Sequence, residues 1–340
     1  MNDKVILVTG ISGFIAKHCA LELLKHGYAV RGSVRRMAKA DETRATLSKH
    51  CDTSRLTFAQ ADLLDDKGWA AAMEGIDGVL HLASPFPARE LKDPNELLRP
   101  AVDGTLRVLR AAVAAGVSRV VQTSSTAAVH GGQREARTKP FTEDDWTNID
   151  DPEVTTYYRS KTLAERAARD FVKSDGSKLH FSTINPGFVL GPVLDRDIGT
   201  SAEVIQMFLR GKYPGTPRIW LGVVDVRDVA KMHRLALESD EPSGGRYLAV
   251  SEVTRFLDIA RPIREKLGTV ARKVPSRELP NFIVRMVALF DPTARTILPD
   301  LGFAFMVDNS RTRRSLKMDF IPVTESAPAM ATSLVQLGLV

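Results

Sequence analysis

Lys4–Val5–Ile6–Leu7–Val8–Thr9–Gly10–Ile11–Ser12–Gly13–Phe14–Ile15–Ala16 decides the fold of this chain. Val5 to Val8 is apolar at every position, which suits a strand buried on both faces of a parallel sheet. Thr9–Gly10 turns the chain, Gly13 follows, and helical spacing begins at Ile15. Glycines permit a tight turn and a close approach of backbone to ligand, and the helix start points free N–H groups at an anion. A dinucleotide pyrophosphate is held in this way, so Thr9, Gly10, Ser12, Gly13, Phe14 and Ile15 form a candidate seat. The spacing is glycine, two residues, glycine, two residues, alanine rather than strict G-x-G-x-x-G. Alone, it suits a plain strand–helix turn equally well.

Outward from that turn, strand and helix patterns alternate. Strands are predicted at Val5–Thr9, Ala29–Arg35, Leu56–Ala61, Gly78–Ala83, Arg119–Thr123 and His180–Asn185. Helices are predicted at Ile15–Gly27, Arg44–Cys51, Asp65–Met73, Pro94–Gly116 and Thr156–Ser174. Such alternation gives right-handed βαβ units and an α/β fold, a Rossmann-type doubly wound parallel sheet covered on both faces. After Pro186 the rhythm fails. Gly187–Pro217 is rich in glycine and proline, Val223–Leu237 and Arg246–Val250 regain strand and helix character, and the chain from Thr254 is helical with breaks at Pro262, Pro275, Pro280, Pro292 and Pro299. The expected division is a nucleotide-binding domain of residues 1–190, to which 218–250 return, and a smaller, mainly helical substrate-binding lobe of 191–217 and 251–340.

The 340 residues can bury a large core, and 44% hydrophobic with 26% charged residues is a globular composition. No stretch approaches the roughly 18 apolar residues of a membrane span. The first strand begins at once, which leaves no room for a signal peptide. Cys19 and Cys51 are the two cysteines, and they read as reduced thiols of a cytoplasmic protein. The net charge of +6 is spread among acidic residues and forms no basic stripe with stacking aromatics, which argues against nucleic acid as a partner. No His, Cys and carboxylate cluster suggests a metal.

Ligands of open parallel sheets lie across the carboxyl ends of the strands. Strand two ends in Ser33–Val34–Arg35–Arg36 with no acid between Val30 and Met37. An acid there would match a ribose 2′-hydroxyl, whereas arginine matches a 2′-phosphate. Arg35 is the first choice for the clamp and Arg36 the second, with a pair of solvated arginines as the plain alternative. Asp62, followed by Leu63, can accept from an adenine amino group or cap the next helix. Leu82–Ala83–Ser84–Pro85 offers small residues along the cofactor, and His81 before them reads as a core residue. Thr123–Ser124–Ser125–Thr126 places hydroxyls at the end of strand five. Tyr157 and Lys161, four apart, share one helix face, and Tyr158 pairs instead with Thr162. A phenol is a poor acid at neutral pH, but a neighbouring ammonium stabilises the phenolate.

Taken in order, these motifs resemble the extended short-chain dehydrogenase/reductases over essentially the full length. Within them the chain is most similar to the dihydroflavonol reductase, cinnamoyl-CoA reductase and yeast-type carbonyl reductase group. Thr9–Gly10 with Gly13–Phe14–Ile15–Ala16, Val30–Arg31 with Val34–Arg35, Leu80–Pro85, Thr123–Ser125, Tyr157, Ser160–Glu165, Asn185–Pro186 with Gly191–Pro192, and Val224–Ala230 carry the likeness. The resemblance implies that Tyr157 protonates the substrate carbonyl oxygen, that Lys161 holds the nicotinamide ribose and acidifies Tyr157, and that Ser125 orients the carbonyl. It gives Thr126 as the alternative to Ser125, and Pro186 and Val189 as packing along the nicotinamide. Leu82, Ala83, Ser84 and Thr123 join the expected cofactor contacts, and Pro85, Thr126, His130 and Gly187 are the expected substrate contacts.

The chain departs from the pattern at Ala16, in place of a third glycine, and at Asp103, in place of an asparagine. His130 stands where flavonoid reductases carry a polar substrate-reading residue. The implied activity is NADPH-dependent reduction of an aldehyde or ketone to the alcohol, by a monomer or homodimer acting on a small-molecule carbonyl. A sugar-nucleotide epimerase or dehydratase is the alternative; it would call for an acid at the end of strand two. A nucleotide-sensing regulator on the same fold would lack the tyrosine and lysine.

Overall fold

The computed structural model describes residues 3–84, 93–132, 137–174, 179–241, 245–290, 295 and 297–340. Its first half runs β1 (Val5–Thr9), α1 (Phe14–Lys25), β2 (Ala29–Val34), α2 (Ala38–Leu47), β3 (Leu56–Gln60), α3 (Trp69–Met73), β4 (Gly78–His81), α4 (Asn95–Ala114), β5 (Arg119–Thr123), α5 (Thr156–Ser174) and β6 (His180–Pro186). The second half runs β7 (Phe188–Leu190), α6 (Thr200–Arg210), β8 (Trp220–Asp225), α7 (Val226–Glu238), β9 (Arg246–Ala249), β10 (Glu252–Arg255), α8 (Phe256–Leu267), α9 (Asn281–Val287), α10 (Ser310–Leu316) and α11 (Val323–Gln336).

The apolar runs become a seven-stranded sheet of order β3-β2-β1-β4-β5-β6-β9, with every pairing parallel. Strand order reverses between β1 and β4, which opens a crevice at their carboxyl ends. One face of the sheet buries Ile6, Val8, Leu80 and Val121 together with residues of α1 and α7. The other buries Leu7, Val79 and Val120 with residues of α3, α4 and α5. Two covered faces explain why the strands lack polar alternation. A second, three-stranded sheet of order β10-β8-β7 and a separate core built from α6, α8 and α11 lie beyond it.

Several predicted elements need correction. Helix α2 starts at Ala38 instead of Arg44, because Ala40, Thr43 and Leu47 supply the buried face while Lys49 and His50 are exposed. The helix predicted over Asp65–Met73 is shortened to α3, since Asp62 and Asp65 spend their carboxylates on turn amides of Leu64 and Lys67. Pro262 sits inside α8 rather than breaking it. A proline there removes one intrahelical N–H, and the helix persists because Ile259, Ala260 and Ile263 on either side are buried. Pro280 caps α9 and so delimits helix as expected, whereas Pro299 lies inside a 3₁₀ turn over Leu298–Asp300. Pro292 lies outside the described residues.

Candidate active site

The turn after β1 is closed by Gly13 N–H donating to the Gly10 carbonyl at 2.9 Å. Gly10 adopts φ +63°, and a Cβ there would meet Ala83 at 3.1 Å, so a side chain would be strained by both backbone and neighbour. Gly10 N–H donates to Ser33 Oγ at 3.1 Å and Ile11 N–H to the Ser33 carbonyl at 3.2 Å, which fixes the turn against the end of β2. Helix α1 begins at Phe14 with neither a side-chain cap nor an acid in its first turn. Its leading N–H groups are therefore free to face an anion, with Ser12 half-exposed beside them. Phe14 packs edge-on against His18 at 5.7 Å, and Ile15 lies on the core shared with β1 and α7.

Thr9, buried at the end of β1, locks the neighbouring loop. Its Oγ1 accepts from Leu82 N at 3.0 Å and Ala83 N at 2.9 Å and lies 2.9 Å from His81 Nδ1. With both lone pairs used, the hydroxyl proton goes to Nδ1, which leaves the ring neutral with its proton on Nε2. Burial, helped by the charge of Lys161, lowers the His81 pKa to about 3. His81 is thus a core residue, as predicted, and it also holds the Leu82–Ala83 segment over the glycine turn.

Arg35 and Arg36 follow the last residue of β2 and are exposed. Among the described residues neither guanidinium has a partner. Asp62 Oδ1 accepts from Leu64 N at 3.1 Å, so this carboxylate caps its own turn with one oxygen. The Leu63 carbonyl accepts from Arg107, which fixes that loop on α4.

At the far side of the crevice, Thr123 donates to His233 Nε2 at 2.7 Å, because His233 Nδ1 is committed to the Val229 carbonyl at 2.7 Å. Its hydroxyl proton is thereby turned toward α7. Ser125 is extended and nearly buried, and its Oγ accepts from Ala127 N at 3.1 Å, capping a 3₁₀ turn over Thr126–Ala128. That bond orients the hydroxyl while leaving its proton to be donated. The Thr126 hydroxyl has no comparable backbone donor among the described residues. Helix α5 packs on this turn. Tyr157 lies in its first turn, and Lys161 Nζ is 5.8 Å from the centre of the Tyr157 ring. Lys161 Nζ also donates to Ser84 Oγ at 3.0 Å, so α5 and the loop after β4 meet across the crevice. Tyr158 points elsewhere, into an edge contact with His130 at 5.8 Å.

Pro186 ends β6 opposite Ala249, and Val189 is buried in the core below the crevice. Gly187 has a steric reason to be glycine: a Cβ would lie 2.0 Å from the Gly222 carbonyl oxygen. Any substrate contact from Gly187 is a backbone contact. His130 stacks on Phe305 at 4.6 Å and lies 5.8 Å from Phe141, so it belongs to an aromatic cluster that joins the turn after Ser125 to the chain near residue 305. Asp103 is exposed on α4. Pro85 lies outside the described residues. Among the described residues, no group of three or more His, Cys, Asp or Glu could hold a metal ion.

Sequence reasoning missed the residues beneath this surface. Glu165, one turn beyond Lys161, is fully buried and accepts from Ser124 Oγ at 2.6 Å, Asn185 Nδ2 at 2.8 Å and Arg246 Nε at 2.7 Å. Burial works to raise its pKa, but the charges of Arg246 and Arg169 hold it below the usual carboxylate value. Glu165 and Asn185 stood within the motifs that carry the resemblance, and Glu165 also continues the spacing of Tyr157 and Lys161, but no role was read for either; Arg246, 81 residues beyond Glu165, gave no signal.

The chain belongs to the NAD dependent epimerase/dehydratase family, whose sequence model matches residues 6–249. An oxidoreductase of Schizosaccharomyces pombe is 35% identical over 325 residues, covering 91% of each chain. The cinnamoyl-CoA reductase CAD2 of Medicago truncatula is 36% identical over 283 residues, covering 82% of this chain and 83% of that one. The crystal structure of yeast methylglyoxal/isovaleraldehyde reductase Gre2 complexed with NADPH superposes with a TM-score of 0.82 at 26% identity, covering 99% of this chain and 100% of that one. These relatives fall in the group that the motifs had indicated.

Proposed function

We propose that this chain is an NADPH-dependent reductase that converts an aldehyde or ketone to the alcohol. The observation that carries the reading is Lys161, whose ammonium lies between the Tyr157 ring and Ser84 where strand order reverses. The residues present suit the dinucleotide. Gly10 leaves room beside Ala83, α1 opens uncapped, and Arg35 and Arg36 stand unpartnered among the described residues where a 2′-phosphate would need them. No acid stands there for a ribose hydroxyl, which disfavours the epimerase alternative.

When bound, the cofactor supplies the hydride. The turn of Thr9 to Ile15 would hold its pyrophosphate, Arg35 and Arg36 its 2′-phosphate, and Lys161 its nicotinamide ribose. Asp62, Leu63, Leu82, Ala83, Ser84, Pro186 and Val189 would complete the seat. As negative charge grows on the carbonyl oxygen, Tyr157 delivers a proton to it, and Ser125 donates a hydrogen bond that orients and stabilises it. The ammonium of Lys161 stabilises the phenolate that Tyr157 leaves behind. The lobe of residues 191–217 and 251–340 would shape the carbonyl pocket. His130 stands at its edge in the aromatic cluster with Phe305. No helix among the described residues is long and apolar enough to cross a membrane.

The test is a turnover assay of purified protein with NADPH or NADH against methylglyoxal, isovaleraldehyde and an aryl aldehyde. Preferred use of NADPH with alcohol as product supports the reading. Equal or better use of NADH, or epimerisation of a nucleotide sugar without net cofactor consumption, overturns it.

A further inference from the structure

We propose that Asn185 and the buried Glu165–Arg246 ion pair are positioning residues, which set the place of the Ser125 hydroxyl relative to Tyr157. The inference rests on the reading of Ser125 as the group that orients the substrate carbonyl.

Tyr157, Lys161 and Glu165 fall at i, i+4 and i+8 of α5 and so share one face. The first two are half-exposed at the crevice, while Glu165 reaches the sheet. One carboxylate there gathers the whole segment after β5. Ser124 Oγ donates to it at 2.6 Å, and Asn185 Nδ2, which donates to it at 2.8 Å, also donates to the Ser125 carbonyl at 3.1 Å. Arg246 Nε donates to it at 2.7 Å, while Arg246 Nη2 donates to the Ala128 carbonyl at 3.0 Å. Ser125 is therefore fixed from the residue before it, through its own carbonyl, and from the end of the turn whose Ala127 N–H orients its hydroxyl. Arg169 and Thr183 complete the carboxylate's shell at 3.2 and 3.1 Å.

A buried ion pair is a poor device for stability, because the desolvation of both ions offsets most of their attraction. It is a good device for geometry, because every donor has one place to go. Here the geometry concerns two groups on different elements: Tyr157 on α5 and Ser125 after β5. Glu165 is the point where those elements are joined.

The test is a double-mutant cycle, read as kcat/KM for the carbonyl substrate at saturating NADPH, with NADPH Kd and Tm measured for each variant. Ser125→Ala is expected to lose about 10²-fold or more. Asn185→Ala is expected to lose about 10-fold with NADPH Kd changed less than about 3-fold, and to cost less than about 2-fold when Ser125 is already alanine. Should Asn185→Ala fold poorly, Ser124→Ala tests the same link and is expected to show the same dependence on Ser125. Additive losses in the cycle overturn the positioning role while the reading of Ser125 stands. A fall in Tm with kcat/KM unchanged also overturns it, since that is the signature of a purely structural contact. Full activity of Ser125→Ala overturns the reading of Ser125 and the inference with it.

Discussion

Thr9 Oγ1 and His81 Nδ1 lie 2.9 Å apart across the reversal point of the sheet, and the same hydroxyl holds the Leu82 and Ala83 amides. A single side chain thus joins the glycine turn to the loop that reaches Lys161. Thr9→Val keeps the shape and strands both amides, which costs about 1–3 kcal/mol for each group left unsatisfied. The expected outcome is a lower urea midpoint together with a rise of about 10-fold in NADPH Kd, read by titration. Lost stability with unchanged Kd would mean that the latch serves the fold alone.

The guanidinium groups of Arg35 and Arg36 have no hydrogen-bond or ion-pair partner among the described residues, so replacing them breaks no such bond there. Arg35→Ala with Arg36→Ala is expected to lower kcat/KM for NADPH by about 10²-fold, as for two charge-assisted bonds, and to leave NADH within about 3-fold. Steady-state kinetics with both cofactors decide it. A parallel loss with NADH would remove the 2′-phosphate from the account.

Six strands of the parallel sheet were legible from their alternation with helical patterns, most clearly β1 and β4, whose burial leaves them nearly all apolar, and the strand ends point at the site. Helical spacing showed that Tyr157 and Lys161 share one face, and the family resemblance supplied their expected roles. The three-stranded sheet was not legible, because β10 reads Glu252–Val253–Thr254–Arg255 and gains its strand character only by pairing with β8. Nor were His233 behind Thr123 or Arg246 behind Glu165 legible. Each meets its partner across 81 or more residues, and neither residue type declares a partner by itself. Arg246 is one of 47 basic residues, and only burial distinguishes it from a solvated one.

Three buried histidines make the fold sensitive to acid. Burial lowers His81 to about 3 and His18 and His233 to about 4, all below the ordinary 6.5. Between these values the unfolded chain binds protons that the native state refuses, so stability falls as pH drops from about 6.5 toward 4. Asp228 acts in the opposite sense. Burial raises it to about 6, so its neutral form favours the fold below that pH, and the contribution is lost as pH rises through it. Three groups outweigh one, and urea unfolding is expected to show lower stability at pH 4.5 than at pH 6.5. A flat profile would contradict this. Asp228→Asn retains an oxygen for the Ile321 N–H, and it is expected to stabilise the protein most at pH 7 and progressively less as pH falls through 6 toward 3.8.

Gly187→Ala places a methyl group 2.0 Å from the Gly222 carbonyl oxygen, a backbone atom that cannot swing aside. Separation of the two segments is the only relief, and a loss of about 2 kcal/mol or more is expected from overpacking of this kind. Chemical denaturation reads the loss directly. A variant as stable as the parent would show that the close approach is not maintained in solution.

The most direct measurement of the central claim is the rate of NADPH-dependent aldehyde reduction by Tyr157→Phe, with NADPH binding measured on the same sample. The account predicts a rate lowered by about 10²–10⁴-fold with cofactor affinity retained, as for loss of a positioned acid. A variant that binds NADPH and keeps more than about a hundredth of the parent rate would contradict it.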